Sequence, residues 1–210
     1  VNIIQKAQAL AARLRKAAAA AGEKIHSAAV VAVVRITNAL FCDIVLAVGR
    51  YHAECFDSDG NLLWSTPCPN TVVTVGKNYL LDNGMGGSAY TAAFYMGLIT
   101  STSYSAISAS DTMASHAGWL EGGGANAPAY SQTTRPTAAW SAASAGVKSL
   151  SSALTFSITS SGTLEGAFLT TVSTKDGTTG TLFSAGLFTG GTQPVTSGNT
   201  VNVSYSLTLT

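Results

Sequence analysis

The fragment Asp57-Ser58-Asp59-Gly60-Asn61 opens with the alternating oxygen donors of a calcium loop. An EF-hand needs glycine at its sixth position and a bidentate glutamate at its twelfth. Here glycine stands fourth and Cys68 twelfth, so the fragment is expected to be a turn. Ser115-His116 with Asp111 nearby offers the residue types of a nucleophile, its base and an orienting acid. No GxSxG elbow accompanies them, and neighbours on a strand point to opposite faces, so no catalysis is expected there. His26, His52 and His116 form no HxH or HxxxH pair, and a metal would need a site assembled by folding or between subunits. They are expected to be ordinary polar or interface histidines.

Gly84-Met85-Gly86-Gly87-Ser88 and Gly122-Gly123-Gly124 lack the following lysine and the strand-to-helix setting of a phosphate cradle, and read as loops. Cys42, Cys55 and Cys68 are odd in number and have no CxxC spacing, which argues against a disulfide scaffold or a zinc site. Reduced, buried thiols are expected. No catalytic residue, cofactor or metal is assigned, and the chain is not expected to be an enzyme.

The elements that would hold these residues follow from composition and period. The chain has 210 residues, 46% hydrophobic and only 10% charged, enough for a real core but with a surface that must be polar without charge. Serine and threonine supply that polarity, 10 of them in residues 1–100 and 40 in residues 101–210, so the second half reads as all-β. The net charge of +1 hides an asymmetry: residues 1–50 carry seven Lys/Arg against Glu23 and Asp43, and residues 51–210 carry four against eight acids.

Residues 2–21 are alanine-rich, with Ile3, Leu10 and Leu14 at helical spacing and Lys6, Arg13 and Lys16 largely off that line. An amphipathic helix with a narrow apolar stripe is expected, interrupted or bent at Gly22 and resuming to about Leu40. So alanine-rich an arm has little to bury alone and is expected to dock on another chain; packing on its own β domain is the alternative. No signal peptide is expected ahead of the first long apolar run, and Arg35, Asn38 and Asp43 argue against a membrane span in Ala28–Val48. Nucleic-acid contact through the basic arm is a side reading, since the charge is sparse and no aromatic residue precedes Phe41.

From Arg50 the pattern changes. Tyr51–Phe56, the Asp57–Asn61 turn and Leu62–Ser65 predict a β-hairpin. Val72–Asp82 predicts a strand leading into a short helix at Asn78–Leu81 that stops at Asn83-Gly84. Ala92–Ile99 predicts a buried strand, and residues 100–150 show few clear periods. Leu154, Phe156 and Ile158, then Leu164–Thr171, Thr181–Thr189 and the alternating Val201, Val203, Tyr205, Leu207 and Leu209 predict further strands. Turns are expected at Ser160-Ser161-Gly162, Lys175-Asp176-Gly177 and Ser197-Gly198-Asn199. The expected fold is mainly β: an antiparallel β-sandwich or jelly-roll-like domain over residues 50–210 behind an α-helical arm over residues 1–49. Trp64, Trp119 and Trp140 are expected in the core; a sugar-stacking platform is the alternative.

Several stretches carry a resemblance: Cys55-Phe56-Asp57-Ser58-Asp59-Gly60-Asn61-Leu62-Leu63-Trp64, Asn70-Thr71-Val72-Val73, Leu80-Leu81-Asp82, Ser88–Leu98, Asp111–Trp119, Gly166–Thr171, Gly180–Phe188 and the closing Val201–Thr210. Together they resemble a family of small virion proteins of tailed bacteriophages, variously described as head-decoration, minor structural or tail-fibre components. The resemblance covers roughly residues 51–210 and implies a structural role without catalysis, in the virion. A capsid decoration or cementing protein is expected, assembled in the host cytoplasm. Its partners would be the major capsid protein or portal and tail proteins, and it would form a homo-oligomer with no membrane contact. Ile3, Leu10, Leu14 and Ile25 would be the arm's docking contacts, and Lys6, Arg13, Arg15 and Lys16 its complementary charges. A tail-fibre or connector-associated protein and a carbohydrate-binding β-sandwich are the alternatives.

Overall fold

A computed structural model describes residues 46–85 and 93–209. Of the stretch expected to form the arm, residues 1–45 lie outside it, and Ala47–Gly49 are already strand. Among the described residues eleven strands form one antiparallel sheet, accompanied by one helix. The strands are β1 (Ala47–Phe56), β2 (Leu62–Val72), β3 (Phe94–Thr100), β4 (Leu120–Gly122), β5 (Thr137–Ala138) and β6 (Val147–Ser149). They continue as β7 (Leu154–Ser157), β8 (Gly162–Thr170), β9 (Leu182–Leu187), β10 (Gln193–Val195) and β11 (Thr200–Leu209), and the helix is α1 (Thr74–Met85). The main path runs β4-β3-β8-β9-β2-β1-β11-β6, with β5 on β3, β7 on β11 and β10 on β8.

Two kinds of strand build this sheet. In β1 and β11 apolar and polar residues alternate, and the register Tyr51↔Tyr205, Ala53↔Val203 and Cys55↔Val201 puts the apolar members on one face. That face buries its side chains, while Asn202, Ser204 and Ser206 stay half-exposed on the other. In β3, β8 and β9 the apolar run is nearly continuous, because both faces are covered. Met96, Leu98, Leu164, Ala167, Leu169 and Phe183 share a core with the inner face of β1 and β11. Ile99, Phe168, Leu182 and Ala185 pack on the opposite side beneath Val73, Met113 and Trp119. β2 links the two groups, pairing with β1 from Leu62 to Pro69 and with β9 from Asn70 to Val72.

The predicted hairpin forms, with a longer second strand. The helix differs from expectation: it spans Thr74–Met85 and passes through Asn83 and Gly84. A mid-helix glycine costs only about 1 kcal/mol, which packing of Tyr79 and Leu80 against the core outweighs. Asn83 further satisfies the chain locally, its Nδ2 donating to the Tyr79 carbonyl at 2.8 Å. Gly162, expected in a turn, begins β8. No helix among the described residues is long and apolar enough to cross a membrane.

Candidate functional site

The hairpin loop is built around its first aspartate. Asp57 Oδ1 accepts the backbone N–H of Asp59 at 2.9 Å and of Asn61 at 2.8 Å, and Oδ2 accepts Asn61 Nδ2 at 2.9 Å. The Asn61 side chain, seconded by these amides, holds the Asp57 carboxyl below its usual range. Gly60 takes φ +85°, the left-handed turn that glycine reaches without strain. The carboxylate is thus committed to its own loop, as the turn reading expects.

Asp111, Ser115 and His116 are brought near one another but not into a relay. Asp111 Oδ2 accepts the indole N–H of Trp119 at 2.9 Å and the Ser108 amide at 2.9 Å. His116 stacks on the Trp119 ring with centroids 4.0 Å apart, and its Nδ1 lies 3.0 Å from the Trp119 carbonyl. Ser115 is exposed and closes a turn with Thr112. Asp111 and His116 support a buried tryptophan, and Ser115 bonds to Thr112. His52 is on β1, 3.1 Å from Ser65 Oγ. Cys55 and Cys68 are free and buried, and burial pushes their thiols up to about 11 and about 12. His26 and Cys42 lie outside the described residues.

The strongest polar constellation was not foreseen from the sequence. Arg135, 1% exposed, meets Glu121 in a bidentate pair, Nε to Oε1 at 2.8 Å and Nη2 to Oε2 at 2.7 Å. Nη1 also donates to the Val172 carbonyl at 2.8 Å, and the guanidinium lies 5.2 Å from the Phe168 ring centroid. Glu121 Oε2 accepts the Asp176 amide at 2.7 Å, and Asp176 Oδ2 accepts the Ala125 amide at 2.8 Å. Lys175 turns inward to the Gly123 carbonyl at 2.6 Å and the Tyr130 carbonyl at 3.2 Å, with its ammonium 4.1 Å from the Tyr130 ring centroid. Desolvation lowers its pKa, against the opposing pull of Glu121 and Asp176. Gly123, at φ +109°, lies so close to the Tyr130 ring that a Cβ would collide with it.

This clamp joins β4, the chain before β5 and the loop after β8. A concavity of about 210 Å³ beside it is lined by His116, Glu121, Phe168 and Asp176 among others. The carboxylates there accept bonds from protein donors, so the arrangement rigidifies the loops. One sequence signal marks it: Arg135 is an isolated cation between Lys77 and Lys148 in a stretch of serine and threonine.

A second concavity, of about 290 Å³, is apolar. Tyr79 and Leu80 of α1 form one wall, Phe94, Trp140 and Phe183 another, and Tyr205 and Leu207 of β11 the floor. Edge-on aromatic contacts stiffen it, Phe94 lying 5.6 Å from Tyr79, 6.0 Å from Trp140 and 5.3 Å from Phe183 between centroids. Lys148 is its charged member. Trp119 is wholly buried, with its indole N–H on Asp111, so it presents no face as a sugar platform would; Trp64 is half-buried and donates its indole N–H to the Pro194 carbonyl at 2.9 Å.

The expected docking residues Ile3, Lys6, Leu10, Arg13, Leu14, Arg15, Lys16 and Ile25 all lie outside the described residues. No protein-family model matches the chain, and no curated protein matches it.

Proposed function

We propose that this chain is a structural protein of tailed-bacteriophage particles, a decoration or cementing protein of the capsid shell. It acts by burying surface against its partners, not by catalysis. The observation that supports this reading is where the family-like stretches fall. Cys55–Trp64 makes the first hairpin, Phe94–Leu98 and Gly166–Thr170 are neighbouring strands, and Asp111–Trp119 is the loop that covers them. The resemblance therefore lies in the framework of the domain and its rigid loops.

In this reading the sheet is a two-layered, jelly-roll-like sandwich. β1, β11, β6 and β7 form one layer, β3, β4, β8 and β9 the other, and β2 passes between them. Tyr51 supports that stacking, its hydroxyl lying 2.6 Å from Ser184 Oγ and 3.1 Å from the Ser184 carbonyl of β9. The basic residues 1–45 supply a second, docking element, so that contact with several shell subunits at once gives avidity.

Counting this chain against the major capsid protein in purified particles, by quantitative mass spectrometry, tests the proposal. A ratio of one to one or one to a few supports a shell component. A ratio near one to fifty moves the protein to the tail or connector, and absence from particles overturns the virion reading.

A further inference from the structure

Among the described residues five large apolar side chains stand well into solvent: Val48 at 46%, Leu62 at 54%, Leu63 at 51%, Leu81 at 58% and Leu209 at 47% exposure. They gather at the two ends of β1. Leu62 and Leu63 lie at the Phe56 end, where Phe56 pairs with Leu62. Val48 and Leu209 lie at the Ala47 end, where Ala47 pairs with Leu209. Leu81 follows Leu80, which walls the apolar concavity at that same end.

Leu62 pairs with Phe56 and Trp64 with Cys55, which leaves Leu63 as the extra residue of a β-bulge. Both leucines are exposed, so the start of β2 presents an apolar pair at the end of the sheet. The edge is preorganised by the Asp57 loop before it and the Trp64–Pro194 bond after it, so ordering it on binding costs little. Its charged neighbours Glu54, Asp57 and Asp59 are all acidic. The groove at the other end is apolar, walled by aromatics, and carries Lys148 in its lining. Its volume of about 290 Å³ accommodates two leucine side chains.

The edge cannot fill its own groove. From Phe56 to Gly49, the partner of Leu207, is seven residues of strand, about 23 Å. Between copies the two patches match in polarity and charge, an apolar edge with acidic neighbours and an apolar groove with Lys148 in its lining. We propose that copies of this chain associate head to tail, the Leu62–Leu63 edge of one seated in the α1–β11 groove of the next, with Asp57 and Asp59 facing Lys148. Such an interface uses two different patches and generates a ring or a filament according to its rotation. This inference stands apart from the virion reading and survives or fails without it.

Sedimentation velocity on the full chain over a concentration series tests it. Leu62→Ser with Leu63→Ser removes the edge, and Leu81→Arg with Leu209→Arg puts charge beside the groove-lining Leu80 and Leu207. All four positions are exposed, so circular dichroism is expected to match the parent. Each variant is expected to self-associate at least ~10-fold more weakly. Mixed one to one, the two variants form a heterodimer through the one intact edge and the one intact groove. A parent that stays monomeric, an edge variant with unchanged mass, or a mixture that gains no dimer overturns the proposal.

Discussion

Replacing Arg135 with methionine keeps the buried stem and removes the guanidinium. Glu121, whose side chain is 5% exposed, then loses both charge-assisted bonds and keeps the Asp176 amide. Removing one partner of a buried ion pair costs about 3–5 kcal/mol, because the remaining charge is left desolvated. Domains of this kind hold about 5–15 kcal/mol in all, so the loss is a large share of the total. At about 2–4 °C per kcal/mol for this chain length, Tm is expected to fall by roughly 6–20 °C. Differential scanning calorimetry reads this, and near-ultraviolet circular dichroism of Trp119 reports whether the covering loop stays packed. The double variant Glu121→Leu with Arg135→Met removes both charges and is expected to recover to within ~2 kcal/mol of the parent. A single variant that loses less than ~1 kcal/mol, or a double variant no better than the single, would refute the view that the clamp is a desolvated charge pair joining β4 to two loops.

Two further outcomes follow from the same packing. Trp119→Ala is expected to cost ~3–5 kcal/mol in urea denaturation through the cavity it leaves among Ile99, Met113 and Phe168, and to leave any glycan binding unchanged. Burial raises the Tyr51 and Tyr130 hydroxyls above their ordinary value of 10.0 and Tyr205 to about 12. Folded values above the unfolded one mean that this stability is whole below pH ~10 and is lost as pH rises through the folded values. Phenolate absorbance is therefore expected to rise for these three tyrosines together with unfolding, and a smooth titration of every tyrosine near pH 10 would contradict it.

Much of the framework was legible because strand periodicity is a local property. Tyr51–Phe56 and Val201–Leu209 alternate in the sequence itself, and pairing them in register only brings together faces that composition already distinguishes. The nearly continuous apolar runs of β3 and the second half of β8 likewise announce strands covered on both sides, although not by what. The Asp57 turn was legible for the same reason, since its bonds reach no further than Asn61.

Helix length was less legible: local signals at Asn83-Gly84 say stop, and the contacts of Tyr79 and Leu80 that override them come from distant strands. The polar clamp was not legible. Glu121 and Arg135 stand 14 positions apart in a stretch without period, and they meet only because β4 and the chain entering β5 both border β3. A charge pair has no repeat to betray it, and its strength comes from burial that the whole fold creates. The same holds for the two ends of β1. Leu62, Leu63, Leu81 and Leu209 are ordinary apolar letters in the sequence, and only the completed sheet leaves them outside the core, because exposure is a property of what surrounds a side chain.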